Sequence, residues 1–394
     1  MHGRGALPYH AWLGEWQEPI VVFSLRSEAD DQRYALVERF ASFDADGLAE
    51  ERAVALHERY GFTHVFALSE YDLIRAARLR ERFAIAGQSY ESAIAYRDKL
   101  VMKRLVAAAG VRTPAFAELE SPGDLRRFVA AHGLPCVVKP RRLAGGRGVR
   151  VLHTREEIDE LLSAALPPDT MVESFVGGTM FHVDGLVTAG AMLFSSASRY
   201  LTGCLSYQDG VSSAGTLLDP ASPLSQRLIA VAKRVVAALP CAPHFAFHAE
   251  FFVDAGRIVF CEIAARPGGA RIAETIEYAY GLNVYEQCVR GSFGLPVEFA
   301  PQRPWRAAGR LFVPPRRARL QSIPERVRFP WVVDYRPNAK PGDCLDAPDC
   351  SASHVASFIV VGADTAQVER RMTFLDTWFR NHLMWEDLPR TSSA

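Results

Sequence analysis

Two glutamates set in strand-like apolar runs, Glu250 in HAEFFV and Glu262 in CEIAAR, are the residues best suited to chemistry. Side chains alternate along a strand, so His248, Glu250 and Phe252 share one face, and Phe260, Glu262 and Ala264 share a face of the partner. Both glutamates line one surface only if paired residue numbers sum to an even value, as with Glu250 opposite Glu262 around a loop at Ala255 to Arg257. Two opposed carboxylates repel unless a cation lies between them, and hard oxygen ligands beside a nucleotide favour Mg²⁺. A solvated acidic face, or two separate salt bridges, would use the same residues. Arg266 follows in Ala-Arg-Pro-Gly-Gly, where the strand ends and glycines let backbone approach a ligand. A guanidinium beside such a metal site is what a transferring phosphoryl group needs.

A second cluster lies upstream in VVKPRRLAGGRGVRVL. Lys139 ends an apolar strand and precedes Pro140, which places it to point into a cleft, and the amides of Leu-Ala-Gly-Gly-Arg-Gly could wrap phosphates. The lysine precedes the glycines and no Gly-Lys-Ser/Thr follows, so this is not a Walker A loop. A plain hairpin turn accounts for the same residues.

The elements that must position these groups change character along the chain. PIVVFSL (19–25), an amphipathic stretch from Asp30 to Phe40, AVALHERYG, THVFALSE (63–70) and an Arg-rich helix around 72–83 alternate as in a small parallel α/β layer. Ligand groups then belong at the strand ends, near Ser24 to Arg26 and Ser69 to Asp72, although no Gly-x-Gly-x-x-Gly follows the first strand. In AYRDKLVMKRLVAAAGV, Leu100, Arg104, Ala107 and Ala108 share a helical face and Gly110 is a stop signal. From about 136 to 189 hairpins surround a helix at 155–165, which indicates an antiparallel α+β unit. A helix at 223–239 leads into the carboxylate hairpin, and IAETIEYAYG forms the next helix. The last ninety residues open with a Pro/Arg-rich connector, FVPPRRARL, and end with a strand, a Gly-Ala-Asp turn and a helix.

The 394 residues are 49% apolar, enough for two or three domains with a sizeable core. Basic and acidic residues balance at 45 each, so nothing pulls the whole chain toward nucleic acid or an anionic membrane, and small-molecule chemistry is the expectation. Neither a membrane-length apolar run nor a secretory h-region is evident, so a cytoplasmic protein is the expectation. Seven cysteines without a Cys-x-x-Cys pair read as reduced and structural. Only five basic residues are lysine, at 99, 103, 139, 233 and 340, against forty arginines. Each lysine is therefore informative, because an ammonium and a guanidinium are not interchangeable at a phosphate.

Asp98-Lys99, VVKP, the Gly-rich tip, VESFVGG (172–178), HAEFF and EIAARPGG stand in an order that resembles the ATP-grasp superfamily of carboxylate–amine ligases. Within it the likeness is to stand-alone bacterial amino-acid or peptide ligases, and it covers most of the chain, including KPGD (340–343). The resemblance implies an N-terminal Rossmann-like α/β domain (1–97), an ATP-grasp unit (98–305) of a flap subdomain (98–170) and a metal and substrate subdomain (171–305), and a C-terminal α+β portion (306–394). It implies that Lys99 and Lys139 contact ATP phosphates under a flap carrying Gly145, Gly146 and Gly148. Glu173, Phe175 and Val176 would border adenine, Glu250 and Glu262 would ligate Mg²⁺, and Arg266 would stabilise formation of an acyl phosphate. The family often has asparagine where this chain has Ala264, and an acidic ribose contact where it has Met180; of the neighbours His182 and Asp184, alternation is taken to select His182. His248 shares a strand face with a metal ligand and is a catalytic candidate, while Glu70, Ser196, Ser198, Arg199, Tyr200, Arg271 and Glu274 are candidates for the substrate pocket. The implied reaction joins a small carboxylate to an amine, releasing ADP and phosphate, and a homodimer is compatible with it. Rival readings replace the amine with a carrier-protein thiol or a nucleotide precursor, or retain ATP binding without turnover.

Overall fold

Residues 179–217 and 244–264 have a strand period of two, and they fold as five consecutive strands, counted from one edge, of an eight-stranded antiparallel sheet. The computed structural model describes residues 7–25, 33–43, 48–164 and 166–388. In spatial order the strands are Arg257–Ala264, His244–Asp254, Thr179–Thr188, Ala191–Tyr200, Ser213–Leu217, Ala307–Val313, Ala356–Gly362 and Val332–Pro337. The odd-numbered side chains of the long central strands, Phe181, Val183, Phe245, Phe247 and Phe251, pack on helices Lys99–Ala108 and Pro223–Ala238 through Met102, Val106, Leu228 and Val235. The even-numbered face is divided. At one end Leu186, Phe194 and Ala246 lie under helix Ile272–Tyr280; at the other His182, Asp184, Ser196, Ser198, His248 and Glu250 form a polar floor.

A smaller antiparallel sheet holds the glycine-rich segment. Its order is Phe116–Leu119, Thr170–Ser174, Cys136–Pro140, Arg150–Leu152. Helices Pro122–His132 and Arg155–Ser163 cover one face, each begun by a capping box, Ser121 with Asp124 and Thr154 with Glu157. Leu125, Cys136 and Leu152 are all but fully buried between them. This subdomain has its own core, and burying a side chain such as Leu125 contributes about 1.5–3 kcal/mol to it.

Three expectations change. The stretch from 30 to 40 is not helical where it is described, because Leu36–Arg39 pairs in parallel with Val21–Ser24; Arg26 and Asp30 lie outside the described residues. Residues 63–68 run without strand pairing, so among the described residues the N-terminal layer is a two-stranded parallel sheet with helices Leu48–Tyr60 and Leu73–Phe83. FVPPRRARL is not a simple connector: its Phe312 and Val313 end the buried strand Ala307–Val313, and Ala318–Ser322 begins a separate three-stranded sheet. The large sheet consequently runs across residue 305, with 307–313 hydrogen-bonded to 213–217.

Asp98 divides the expected helix at 95–111. Its Oδ1 accepts hydrogen bonds from the amides of Leu100 (3.1 Å) and Val101 (3.4 Å), the arrangement of an N-cap. That cap starts Lys99–Ala108 and places Lys99 and Lys103 four residues apart on one face. Lys103 is buried on that face, whereas Arg104, Ala107 and Ala108 are exposed.

Candidate active site

Register decides whether the two glutamates meet. The hairpin turns at Ala255 and Gly256, both with positive φ (45° and 76°), in a two-residue loop tighter than the sequence suggested. From there Asp254 pairs with Arg257 and Phe251 with Phe260, an odd-sum register that would set the glutamates on opposite faces. A bulge between Glu250 and Phe251 makes Cys261 the extra residue and restores Glu250 opposite Glu262. The carboxylates therefore share a face because of one inserted residue. Their oxygens lie within 4.8 Å of each other and of the Cys261 sulfur. This is a hard-oxygen pair spaced to hold a divalent cation.

Glu250 is held from two sides, by the Tyr200 hydroxyl at 2.8 Å and by His248 Nε2 at 3.3 Å. Burial raises its pKa, but the hydrogen bond and charge of His248 outweigh it and hold the carboxyl below its ordinary value. His248 Nδ1 in turn meets Asp184 Oδ1 at 2.9 Å. Against the effect of burial, Asp184 and then Glu250 push His248 up to about 9. It is thus an imidazolium at neutral pH with both ring nitrogens engaged. The structure gives it an orienting task on Glu250 rather than a free base.

The lysines converge as their scarcity suggested, and Lys103 joins them. Glu173 bridges two buried ammonium groups, Lys139 Nζ at 2.6 Å and Lys103 Nζ at 3.0 Å. Burial alone would raise Glu173, yet Lys103 and Lys139 hold it at about 2. Lys103 also donates to the carbonyl of Cys261 at 2.7 Å, tying the bulge to the lysine pair. Lys99 Nζ donates to Leu143 O at 2.6 Å and lies 3.5 Å from Glu262. Three of the five lysines thus line one site.

Arg266 is fixed by Glu70 (Nε to Oε2, 2.5 Å) and by the carbonyl of Pro267 (2.9 Å). Arg97 binds the other oxygen of Glu70. Despite burial, Arg266, then Arg97 and Lys99, bring the Glu70 carboxyl down to about 2. Glu70 was expected in the substrate pocket; two arginines occupy it, and it orients Arg266.

The glycine-rich segment is folded down over the site. Gly145, Gly146 and Gly148 have φ of 69°, 75° and 69°, left-handed values that side chains rarely adopt. A Cβ on Gly148 would lie 2.8 Å from the Pro140 ring. The tip is pinned by the Tyr207 hydroxyl on Gly146 O (3.2 Å) and by the Ser351 amide on Gly145 O (3.1 Å). Arg147 reaches Asp349 at 2.9 Å, and at the base Arg141 makes a bidentate pair with Asp98 (2.7 and 3.0 Å). Beneath, a cavity of about 20 Å³ remains among Glu70, Arg97, Lys99, His248, Glu262 and Arg266. That is room for a water, not a nucleotide.

Several sequence candidates lie elsewhere. Asp184 has the parity of Met180 and His182, so alternation does not separate His182 from it, and both are buried. His182 is fully buried beside Glu250 on the adjacent strand, with Nδ1 2.5 Å from Asp184. Burial lowers it to about 4 in spite of Asp184, so it is neutral. Arg199 faces away from the site and pairs with Glu369 on helix Thr365–Asn381. Arg271 is buried with its guanidinium 2.7 Å from Asp334 and 3.8 Å from Glu274, and its φ is 61°; it is no free carboxylate clamp. Ser198 does lie on the polar floor, opposite His182, and Phe175 is 45% exposed beside the partly buried Val176 at the cleft edge.

Arg310 was missed. It is 4% exposed, lies 5.2 Å from the Tyr200 ring centroid, and its guanidinium has no hydrogen bond or ion pair among the described residues. Gly215 makes room for it, since a Cβ there would sit 2.3 Å from Nη1. The available signal was a lone arginine in the apolar run AAGRLFV.

Residues 104–270 match the ATP-grasp domain. The chain carries an ATP-grasp domain. That span includes Lys139, Glu173, Glu250, Glu262 and Arg266, while Lys99 just precedes it and Arg310 follows it. Among curated proteins, the L-arginine-specific L-amino acid ligase of Bacillus subtilis is 24% identical over 233 residues, 57% of this chain and 56% of its own. A formate-dependent phosphoribosylglycinamide formyltransferase of Synechocystis is 30% identical over 203 residues, 48% of each chain. The chain thus spans about half the length of the curated relatives it matches. Among solved structures, an L-amino acid ligase from Bacillus licheniformis superposes with a TM-score of 0.79 over 97% of this chain and 95% of that one, at 17% identity. An N5-carboxyaminoimidazole ribonucleotide synthetase from Thermus thermophilus gives 0.69 over 94% of each, at 18% identity. The architecture around the ATP-grasp domain is therefore that of these ligases. No helix among the described residues is long and apolar enough to cross a membrane.

Proposed function

We propose that the protein is an ATP-dependent carboxylate–amine ligase that activates a small carboxylate, in our reading an amino acid, as an acyl phosphate and couples it to an amine. The observation that carries this reading is the bulge-set pairing of Glu250 and Glu262 with Lys99 and Arg266 beside them. The oxygen donors fit Mg²⁺, which would neutralise phosphate charge when bound with ATP. Lys99 and Lys139 exchange Leu143 O and Glu173 for phosphate oxygens as the flap lifts and re-closes, and the amides of 145–148 face the same phosphates. A substrate carboxylate oxygen attacks the γ-phosphorus and ADP leaves; the amine then attacks the acyl carbon, phosphate leaves, and the amine proton passes to solvent. Arg266, fixed by Glu70, stabilises the charge on the transferring group without having to reorganise. Arg310 has no carboxylate of its own and is suited to bind one on a substrate.

Mg-ATP with pairwise mixtures of amino acids should release ADP and phosphate and give a coupled amide by mass spectrometry. Nucleotide binding without phosphate release across that panel would sink the amino-acid reading. Turnover only with a carrier thiol or a ribosylamine would redirect it to those acceptors.

A further inference from the structure

Cys261 has no part in the reaction above, yet it is the residue the bulge inserts. Its sulfur stands within 4.8 Å of a ligand oxygen of both Glu250 and Glu262. The residue is 6% exposed, its thiol is free, and among the described residues its sulfur has no hydrogen-bond partner. A buried unpartnered thiol within 4.8 Å of two carboxylates differs in kind from an all-oxygen magnesium site. Magnesium takes oxygen ligands in near-octahedral geometry, whereas zinc accepts sulfur and carboxylate oxygen together at about 2.3 and 2.0–2.2 Å in a tetrahedron.

We propose that Glu250, Cys261 and Glu262 form a three-ligand site for a thiophilic divalent ion, Zn²⁺ with Co²⁺ as its spectroscopic analogue, which excludes Mg²⁺ from the same carboxylates. Binding replaces the S–H bond by a metal–thiolate bond, the proton goes to solvent, and nothing is oxidised or reduced. The fourth position belongs to water or to a nucleotide phosphate, and Lys99 moves off Glu262 as the ion enters. The proposal rests on the ligase reading only for the shared use of the two carboxylates.

The test uses the full chain stripped of metal. Titration with Co²⁺ should give a near-ultraviolet sulfur-to-cobalt charge-transfer band in the wild type and none in Cys261→Ser. Competition against a chromogenic chelator should show Zn²⁺ binding at least about tenfold weaker in Cys261→Ser, while Mg-ATP binding is the same in both proteins. Identical cobalt spectra and zinc affinities in the two proteins would overturn the proposal, as would a band that survives in Cys261→Ser and disappears in Cys204→Ser. If Mg-ATP neither binds nor turns over in either protein, the ligase reading fails, and the cobalt spectrum still decides this one.

Discussion

Glu173→Gln exchanges a buried carboxylate for a neutral amide of the same shape and leaves Lys103 and Lys139 sharing a dry site without a counter-charge. The cost follows from linkage. Glu173 is 4% exposed and is held at about 2 against an ordinary 4.5. That difference corresponds to about 3 kcal/mol of folding stability at pH 7, in line with the roughly 3–5 kcal/mol cost of breaking a buried pair. Because the folded value is depressed, the stabilisation is complete above pH 4.5 and is lost as pH falls through about 2. At pH 3 about 1 kcal/mol remains. Urea unfolding of both proteins, followed by tryptophan fluorescence and far-ultraviolet circular dichroism, should therefore give a gap of about 3 kcal/mol at pH 7 that narrows to about 1 at pH 3. Saturating Mg-ATP should close part of the gap at pH 7, because phosphate oxygens replace the lost counter-charge on Lys139. A gap below about 1 kcal/mol at pH 7, or one that stays constant down to pH 3, would refute the assignment of Glu173 as the charge partner of both lysines.

Glu262→Gln should unfold near the wild-type midpoint and release no phosphate; retained turnover would remove the metal assignment. Arg266→Ala should lower kcat by about 30- to 1000-fold, the equivalent of about 2–4 kcal/mol of transition-state stabilisation, and Glu70→Gln should lower kcat less, since Pro267 O still holds one edge of the guanidinium. Arg147→Ala breaks the bond from flap to Asp349; it should speed limited proteolysis within 143–149 and raise KM for ATP, with kcat little changed. Arg310→Lys keeps a positive charge but loses bidentate geometry, so KM for the carboxylate substrate should rise while ATP affinity is unaltered.

Much of this site was legible because strand alternation is a strong constraint. The polar and apolar sides of HAEFFV and the even-sum condition for Glu250 and Glu262 came from spacing alone. What spacing could not supply was the bulge. A two-residue turn and an even-sum pairing are incompatible in a regular hairpin, and only the structure shows Cys261 absorbing the difference. The burial of His182 was not legible for a different reason: residues 180, 182 and 184 share a face, and exposure along that face depends on the side chains that neighbouring strands bring beside it. The Tyr200 and His248 rings, centred 4.9 and 5.1 Å away, close against His182 and leave it no exposed surface. Arg199 and Arg271 looked like substrate clamps because a sequence does not show their counter-charges, Glu369 and Asp334, which lie far along the chain.

The two arginines that flank the even-numbered face follow one physical rule with opposite results. Arg266 is neutralised by Glu70, and its charge is fixed in direction before any substrate arrives. Arg310 has an aromatic ring in place of a carboxylate, and a cation–π contact at a buried site offsets only about 2 kcal/mol of the desolvation cost of a guanidinium. The remainder is recovered only when an anion binds, so the strand Ala307–Val313 stores in Arg310 a preference for an anionic substrate group. Replacing Gly215 with alanine would drive a methyl group into Nη1 and should abolish that preference without touching any metal or phosphate ligand.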